Sequence, residues 1–395
     1  MKCRKLPNNK WECYEEGPRD PVTNKRNAIR KQATKKSSAQ LKVQMAIDAL
    51  ESGIDTKKAN RVTFEEIAWE WYNVYSVTGI KNSTMRTRVH AIKVLSKYIG
   101  ETLINRVTHG HLQNILIDLD KRGYSSSLLN GVKVTANFVF KHAIIHRLRK
   151  DNPATGLIIP KRRMTVAEIE SEEIKEKYFE SEDLKKFLKA AIDNGLPNDK
   201  EWFYLMAFTG MRVGEVCALK WSDVDFKEKT IRVTKTLDNP NGRMYTYELT
   251  PPKTKKSIRI IEVDDDLLDI LKSHKSRQLK TRMKFRKQFE KYDEGNFVFA
   301  RENGFPFYSR LVYTRTIRLC KLAELKKVEG PHIIRHTYIT MLAEAGVDLQ
   351  TIMQRVGHED SKTTTSIYMH ITKAMKKNAT DQVHHHFGNL FRMNL

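Results

Sequence analysis

Pro331-His332-Ile333-Ile334-Arg335-His336-Thr337 opens a helix: proline suits the first turn, and Gly346 stands where the helix should stop. His332 and Arg335, three positions apart, would share a face with Cβ atoms roughly 5–6 Å apart. Val356-Gly357-His358 follows, with a glycine able to end a helix in the left-handed conformation and expose the histidine behind it. Ser361 can cap a further helix carrying Ser366-Ile367-Tyr368-Met369-His370, which puts Tyr368 roughly two turns along it. Upstream, Thr209-Gly210-Met211-Arg212-Val213-Gly214-Glu215 sets a second arginine between glycines. Pro252-Lys253-Thr254-Lys255 puts a lysine beside a predicted strand.

Those residue types suit phosphodiester chemistry. The non-bridging oxygens of the diester gain charge as a nucleophile adds, and fixed cations aimed at the phosphorus centre stabilise that growth. Arginine is always charged and can bond two phosphate oxygens at once. A tyrosine, whose phenol ordinarily titrates near pH 10, attacks only where positive neighbours or a base help remove its proton. Each motif alone has a plainer reading, since helices carry His and Arg on solvated faces and tyrosines are often half-buried. The company they keep is what favours a site.

Composition narrows the partner. In 395 residues, 71 Lys and Arg against 47 Asp and Glu leave a formal charge of +24, which favours a polyanion, nucleic acid first. No apolar run approaches the length of ~20 residues that spans a bilayer, and Met1-Lys2-Cys3-Arg4-Lys5 leads into polar sequence. A cytoplasmic protein without membrane contact is expected. Cys3, Cys13, Cys217 and Cys320 show no pair at the short spacing of zinc ribbons or redox motifs and are expected as reduced thiols.

The length predicts more than one domain. Residues 1–36 hold eleven Lys or Arg against four Asp or Glu, and Trp11, Cys13 and Tyr14 alternate with polar neighbours, predicting a small sheet of short strands. Ser37 or Ser38 caps a following helix with Leu41 and Met45 turned inward, joined by Ile47 and Leu50. A linker at 55–61 leads to Thr63-Phe64-Glu65-Glu66, a capping box. Four apolar stripes then predict a four-helix unit over 62–160. They are Phe64, Ile67, Ala68, Trp71, Val74 and Tyr75; Met85, Val89, Ile92 and Ile99; Leu112, Ile115, Leu116 and Leu119; and Leu129, Val132, Ala136, Val139 and Ala143. Lys81, Arg86, Arg88, Lys133, Lys141, Arg147 and Arg149 could give it a basic face. After a second linker at Pro160-Lys161-Arg162-Arg163, residues 175–395 read as mainly helical, with a small antiparallel sheet between Ile231 and Val263 and a tail containing His384-His385-His386.

In kind, order and spacing, Arg212 with Glu215, Lys253, His332 with Arg335, Gly357-His358 and Tyr368 resemble the active-site set of the tyrosine recombinases, specifically phage or mobile-element integrases. The basic N-terminus, with Gly17-Pro18-Arg19 and Thr23-Asn24-Lys25-Arg26, is similar to the arm-binding sheet of integrases from Gram-positive elements. The resemblance implies a multidomain fold: a small α+β arm-binding domain (1–55), an all-α core-binding domain (62–160) and a mainly α catalytic domain with a small antiparallel sheet (175–395). It implies that Tyr368 attacks DNA to leave a 3′-phosphotyrosine, that Arg212 and Arg335 hold the non-bridging oxygens, and that His358 donates a hydrogen bond. Lys253 would protonate the leaving oxygen, His332 would assist proton transfer, and Glu215 would orient its neighbours.

The implied partners are double-stranded DNA at core and arm attachment sites and a homotetramer on synapsed DNA, with an excisionase and a host DNA-bending protein as accessory partners. Arg19, Lys25, Arg26 and Arg30 would serve the arm contacts. No cofactor and no metal are implied, because one phosphoester is made as another is broken. His332 and His336 have the spacing of helical zinc ligands, but the glutamate of His-Glu-x-x-His is missing and Arg335 would repel a dication. The alternative is a catalytically silent DNA-binding or architectural protein, for which the charge would suffice but which has no use for Tyr368.

Overall fold

The computed structural model describes residues 1–19, 26–51, 54–160, 178–239, 242–243, 245–252, 257–357, 364–365 and 367–369. The chain divides into two compact units, Met1–Met164 and Thr165–Leu395.

The first unit begins with the antiparallel sheet β1 (Lys2–Lys5), β2 (Trp11–Arg19) and β3 (Arg26–Ala33), in that spatial order. Helix α1 (Lys36–Glu51) packs on the sheet, burying Ala39, Val43 and Ile47 against Cys13, with Trp11, Ile29 and Ala33 at the margin. Leu41 and Met45, expected to point inward, are instead 58% and 62% exposed. Two stripes of four-residue spacing, offset from each other by two positions, compete on this helix, and the one containing alanine lets the helix sit close to the sheet. The expectation of four reduced cysteines is corrected as well: Cys3 and Cys13 form a disulfide across β1 and β2. Strand register sets these two residues opposite each other, with Cα atoms 4.1 Å apart, although ten positions separate them in sequence. Cys217 and Cys320 are free and buried, and burial pushes the Cys217 thiol up to about 12 and the Cys320 thiol up to about 11.

The short helix α2 (Thr56–Ala59) precedes α3 (Phe64–Ser76), α4 (Asn82–Ile99), α5 (His109–Lys121) and α6 (Ser126–Ile145). The capping box at the start of α3 is present: the Glu66 amide donates to Thr63 Oγ1 at 3.3 Å and the Thr63 amide to Glu66 Oε2 at 2.8 Å. Thr108 and Ser125 cap α5 and α6 in the same way, each hydroxyl accepting from an amide three residues on. The four stripes meet in one core, apart from Met85 and Val89 of the second, and Phe64, Ile92, Leu129 and Phe140 are fully enclosed there; each such side chain contributes about 1.5–3 kcal/mol. Val74 departs from its predicted stripe and is 56% exposed, because the α3 core face is completed by Trp71 stacked on Phe138. Arg149, expected on the basic face, is instead buried and folds the loop after α6 back by donating to the carbonyls of Ile104 and Val107, whereas Arg147 is exposed.

The second unit contains α7 (Ser181–Asp193), α8 (Asp199–Thr209), α9 (Val213–Ala218), a 3-10 turn (Trp221–Asp223), the strands β4 (Val224–Asp225), β5 (Thr230–Val233), β6 (Thr236–Asp238), β7 (Glu248–Thr250) and β8 (Arg259–Glu262), and then α10 (Asp265–Phe285), α11 (Ser309–Leu322), α12 (His332–Glu344) and α13 (Leu349–Val356). The strands form an antiparallel β4-β5-β8 ladder and a separate β6-β7 pair, the small sheet expected between Ile231 and Val263. Leu184, Phe187, Trp202, Phe203, Val298 and Phe299 build the main core. A smaller cluster of Tyr178, Tyr338, Ile339, Ala343, Ile352 and Val356 joins α12 to α13, and Ile367 and Tyr368 pack against it. No helix among the described residues is long and apolar enough to cross a membrane.

Candidate active site

Arg212 sits at the start of α9, directly after the turn that ends α8. That turn needs Gly210, which has φ +60°; a Cβ there would collide with the Tyr338 ring. Glu215, on the first turn of α9, accepts the Arg212 amide on Oε2 and the Arg212 guanidinium on Oε1, both at 2.9 Å. The α9 start thus fixes an arginine by both its backbone and its side chain.

A third arginine, missed in the sequence, completes the grip on Glu215. Arg259 of β8 donates Nη2 to Glu215 Oε2 at 2.9 Å and Nη1 to Oε1 at 3.3 Å. Its Nε donates to the Arg355 carbonyl at 2.7 Å, tying the sheet to α13. The signal that could have found it is period two: Arg259 and Ile261 lie on the same buried face of the strand, and a charge on such a face calls for a partner. Burial alone would raise the Glu215 pKa, but the charges and hydrogen bonds of Arg259 and then Arg212 outweigh it and hold the carboxyl below its ordinary value.

Arg335 lies on the first turn of α12 and is 2% exposed. One of its terminal nitrogens donates to the Gly210 carbonyl and the other to the Val356 carbonyl. Arg212 Nη2 donates to the next carbonyl along, Gly357, at 3.1 Å. Gly357 ends α13 in the left-handed conformation at φ +66°, as its position in the sequence predicts, and a Cβ there would press on the Arg259 side chain. Arg212 and Arg335, remote in sequence, therefore meet on consecutive carbonyls immediately before His358.

Three guanidinium groups and one carboxylate interact here, which leaves two positive charges in excess among the described residues. Burial first, and then the charge of Arg212, pull the Arg335 pKa well below the usual guanidinium value, with Glu215 opposing. An anion between the arginines would relieve that repulsion. Arg212, with its side chain 32% exposed, is the member of the cluster that reaches solvent.

Tyr368 is helical and half-buried, packed on the cluster that contains Tyr338 and Val356, beside the elements carrying Arg335. His332 is exposed at the first position of α12 and so does not share the burial of Arg335. Lys253 and His358 lie outside the described residues, as do Lys25 and the His384–His386 triplet. Of the other basic residues singled out, Arg19 and Arg26 are register partners across β2 and β3, while Arg30 is exposed with its guanidinium 5.5 Å from the Tyr14 ring centroid. Lys81 precedes α4, and Arg86 and Lys141 are exposed. Arg88 donates to Thr135 Oγ1 at 3.3 Å and Lys133 to the Leu157 carbonyl, so each also braces its own fold. A cleft of about 1120 Å³ between α7, α10 and α11 contains none of the four clustered groups.

Arg259→Ala is expected to lower the stability of the second unit by about 3–5 kcal/mol, the cost of stripping one partner from a buried pair. Urea denaturation of the purified variant measures this. An unchanged midpoint would show that the Arg259–Glu215 pair contributes nothing to the fold.

Residues 177–375 match the family model described as the phage integrase family, and residues 63–119 match the phage integrase N-terminal SAM-like domain. A prophage ps2 probable integrase of Lactococcus lactis subsp. lactis is 31% identical over 386 residues, covering 95% of this chain and 97% of that protein. Among solved structures, the Tn1549 transposon integrase in complex with circular intermediate DNA superposes with a TM-score of 0.61 at 20% identity, over 80% of this chain and 100% of that one. A lambda integrase tetramer bound to a Holliday junction gives 0.55 at 17% identity, over 92% and 94%. With a family model spanning half its length and a relative above 30% identity aligned almost end to end, the chain belongs to the phage integrase family of tyrosine recombinases.

Proposed function

We propose that this chain integrates and excises a mobile element or prophage by site-specific recombination, cleaving and rejoining DNA through a 3′-phosphotyrosine link. The observation that carries the proposal is the meeting of Arg212 and Arg335 on the carbonyls of Val356 and Gly357, with surplus positive charge and with Tyr368 packed against the same helix end. Arg212 and Arg335 hold the non-bridging oxygens, Glu215 and Arg259 keep Arg212 in place, and His358 donates a further hydrogen bond. The Tyr368 Oη attacks phosphorus, its proton passing toward His332, while Lys253 protonates the departing 5′-oxygen. One P–O bond forms as one breaks, so the exchange conserves bond energy and consumes no nucleotide. Rejoining reverses these roles, with a 5′-hydroxyl as the attacker.

In the same proposal, residues 62–160 hold the core site through Arg86, Lys141 and their neighbours. Residues 1–55 grip arm sites through Arg19, Lys25, Arg26 and Arg30. Simultaneous engagement of both raises the effective concentration of each contact. The working assembly is a homotetramer on paired DNA in the cytoplasm, directed by an excisionase and a host DNA-bending protein.

A core-site duplex carrying a nick beside the scissile phosphate tests the chemistry, because loss of the short product strand traps the covalent intermediate. After denaturation and proteolysis, the DNA is expected on the peptide containing Tyr368. DNA on another residue, or no denaturation-resistant adduct with a verified attachment site, would sink the proposal.

A further inference from the structure

In the first unit, Glu70 on α3 faces His142 and His146, which lie one turn apart at the end of α6. Glu70 Oε1 is 3.5 Å from His142 Nε2 and 3.6 Å from His146 Nε2, and one ligand atom from each of the three residues lies within 4.8 Å of the other two. The imidazole rings tilt together with centroids 4.2 Å apart. The His142 side chain is 9% exposed, and its Nε2 is shut off from solvent with only the long 3.5 Å approach of Glu70 Oε1 to satisfy it. A buried polar atom left in that state is costly and calls for an explanation.

The separations are long for a strong charge-assisted hydrogen bond, which falls near 2.7–2.9 Å. The two carboxylate–imidazole separations are close to the spacing of ligand atoms around a tetrahedral ion, where nitrogen and oxygen donors at ~2.0–2.1 Å from zinc sit about 3.3–3.4 Å apart. Two imidazoles and a carboxylate are a zinc-type donor set, whereas magnesium and calcium prefer oxygen alone. Glu70 and His146 keep side-chain exposures of 40% and 37%, which leaves an entry route and room for a water as the fourth ligand.

We propose that Glu70, His142 and His146 bind a zinc-class transition-metal ion that clamps α3 to α6 in the helical core. The ion would satisfy His142 Nε2 and join two helices otherwise held together there by apolar packing. The nearby positive charge of Lys58 opposes a cation and sets the affinity below that of a closed four-ligand site. This role is separate from strand exchange, which the arginines and Tyr368 carry out.

The test uses the full-length chain with His384, His385 and His386 replaced by alanine, so that the tail imidazoles do not compete, after removal of metal with a chelator. Cobalt(II) is titrated in and followed by its visible absorption, which is intense only in tetrahedral coordination; zinc is then added to displace it. One equivalent of cobalt is expected in that background, with at least about tenfold weaker binding in Glu70→Gln and in His146→Gln. Zinc should also raise the melting temperature of the background protein and of neither variant. Both substitutions are at half-exposed positions, and circular dichroism verifies that the variants fold. Equal cobalt uptake by all three proteins would assign the ion elsewhere and overturn the proposal. Absence of the tetrahedral band in the background protein would overturn it too, leaving only an ion pair between Glu70 and the histidines.

Discussion

Tyr368→Phe is expected to bind a core site as the unaltered protein does and to form no covalent adduct with it. The substitution removes one oxygen and keeps the ring that packs against the cluster of Tyr338, Ile339 and Val356, so the fold and the DNA-binding surfaces persist. No other atom of that side chain can bond phosphorus. Loss of a nucleophile in a cooperating set costs at least about 10⁴-fold in rate, enough to take cleavage of the nicked substrate below detection. Mobility shift measures binding, and denaturing electrophoresis measures the adduct. Adduct formation by the variant at the original rate would remove Tyr368 from the chemistry and revive a silent DNA-binding role.

Arg212→Lys should cut the single-turnover cleavage rate by about 10²–10³-fold, the range found when one donor aimed at a developing oxyanion is lost. Lysine keeps the charge but loses the planar fork, so it cannot hold Glu215 and the Gly357 carbonyl while presenting further N–H groups to a phosphate. Arg212 separates catalysis from folding better than Arg335 does. Glu215 remains bonded to Arg259 in the variant, and the Arg212 side chain is already 32% exposed. Arg335, by contrast, is enclosed between the carbonyls of Gly210 and Val356, and its removal would disturb the junction of α8, α12 and α13 as well as the site. Unimpaired cleavage by Arg212→Lys would exclude Arg212 from direct work on the phosphate. A large fall in melting temperature would reassign it to structure.

Much of this arrangement is readable locally. The Thr63 capping box, the stripes of α5 and α6, and the glycine that ends α13 each depend on residues within a turn or two of one another, where the geometry of a single helix decides the outcome. The order Arg212, Arg335, Tyr368 could likewise be matched to a family. The same local reasoning placed Ile47 inward on α1 as the structure does but misjudged Leu41 and Met45, which make as good a stripe as Ala39 and Val43 until a sheet is present to choose between them.

The sequence by itself determined the helical character of both units, the charge that calls for a polyanion, and the chemical types available to attack and hold a phosphodiester. Only the tertiary structure decided that Arg259 shares Glu215 with Arg212, that Cys3 faces Cys13, and that Glu70 meets His142 and His146. The physical reason is range: a helix or a cap is fixed by hydrogen bonds a few residues long. The partner of a buried charge is fixed by strand register and helix packing, where the cost of leaving that charge alone selects one neighbour from the whole chain.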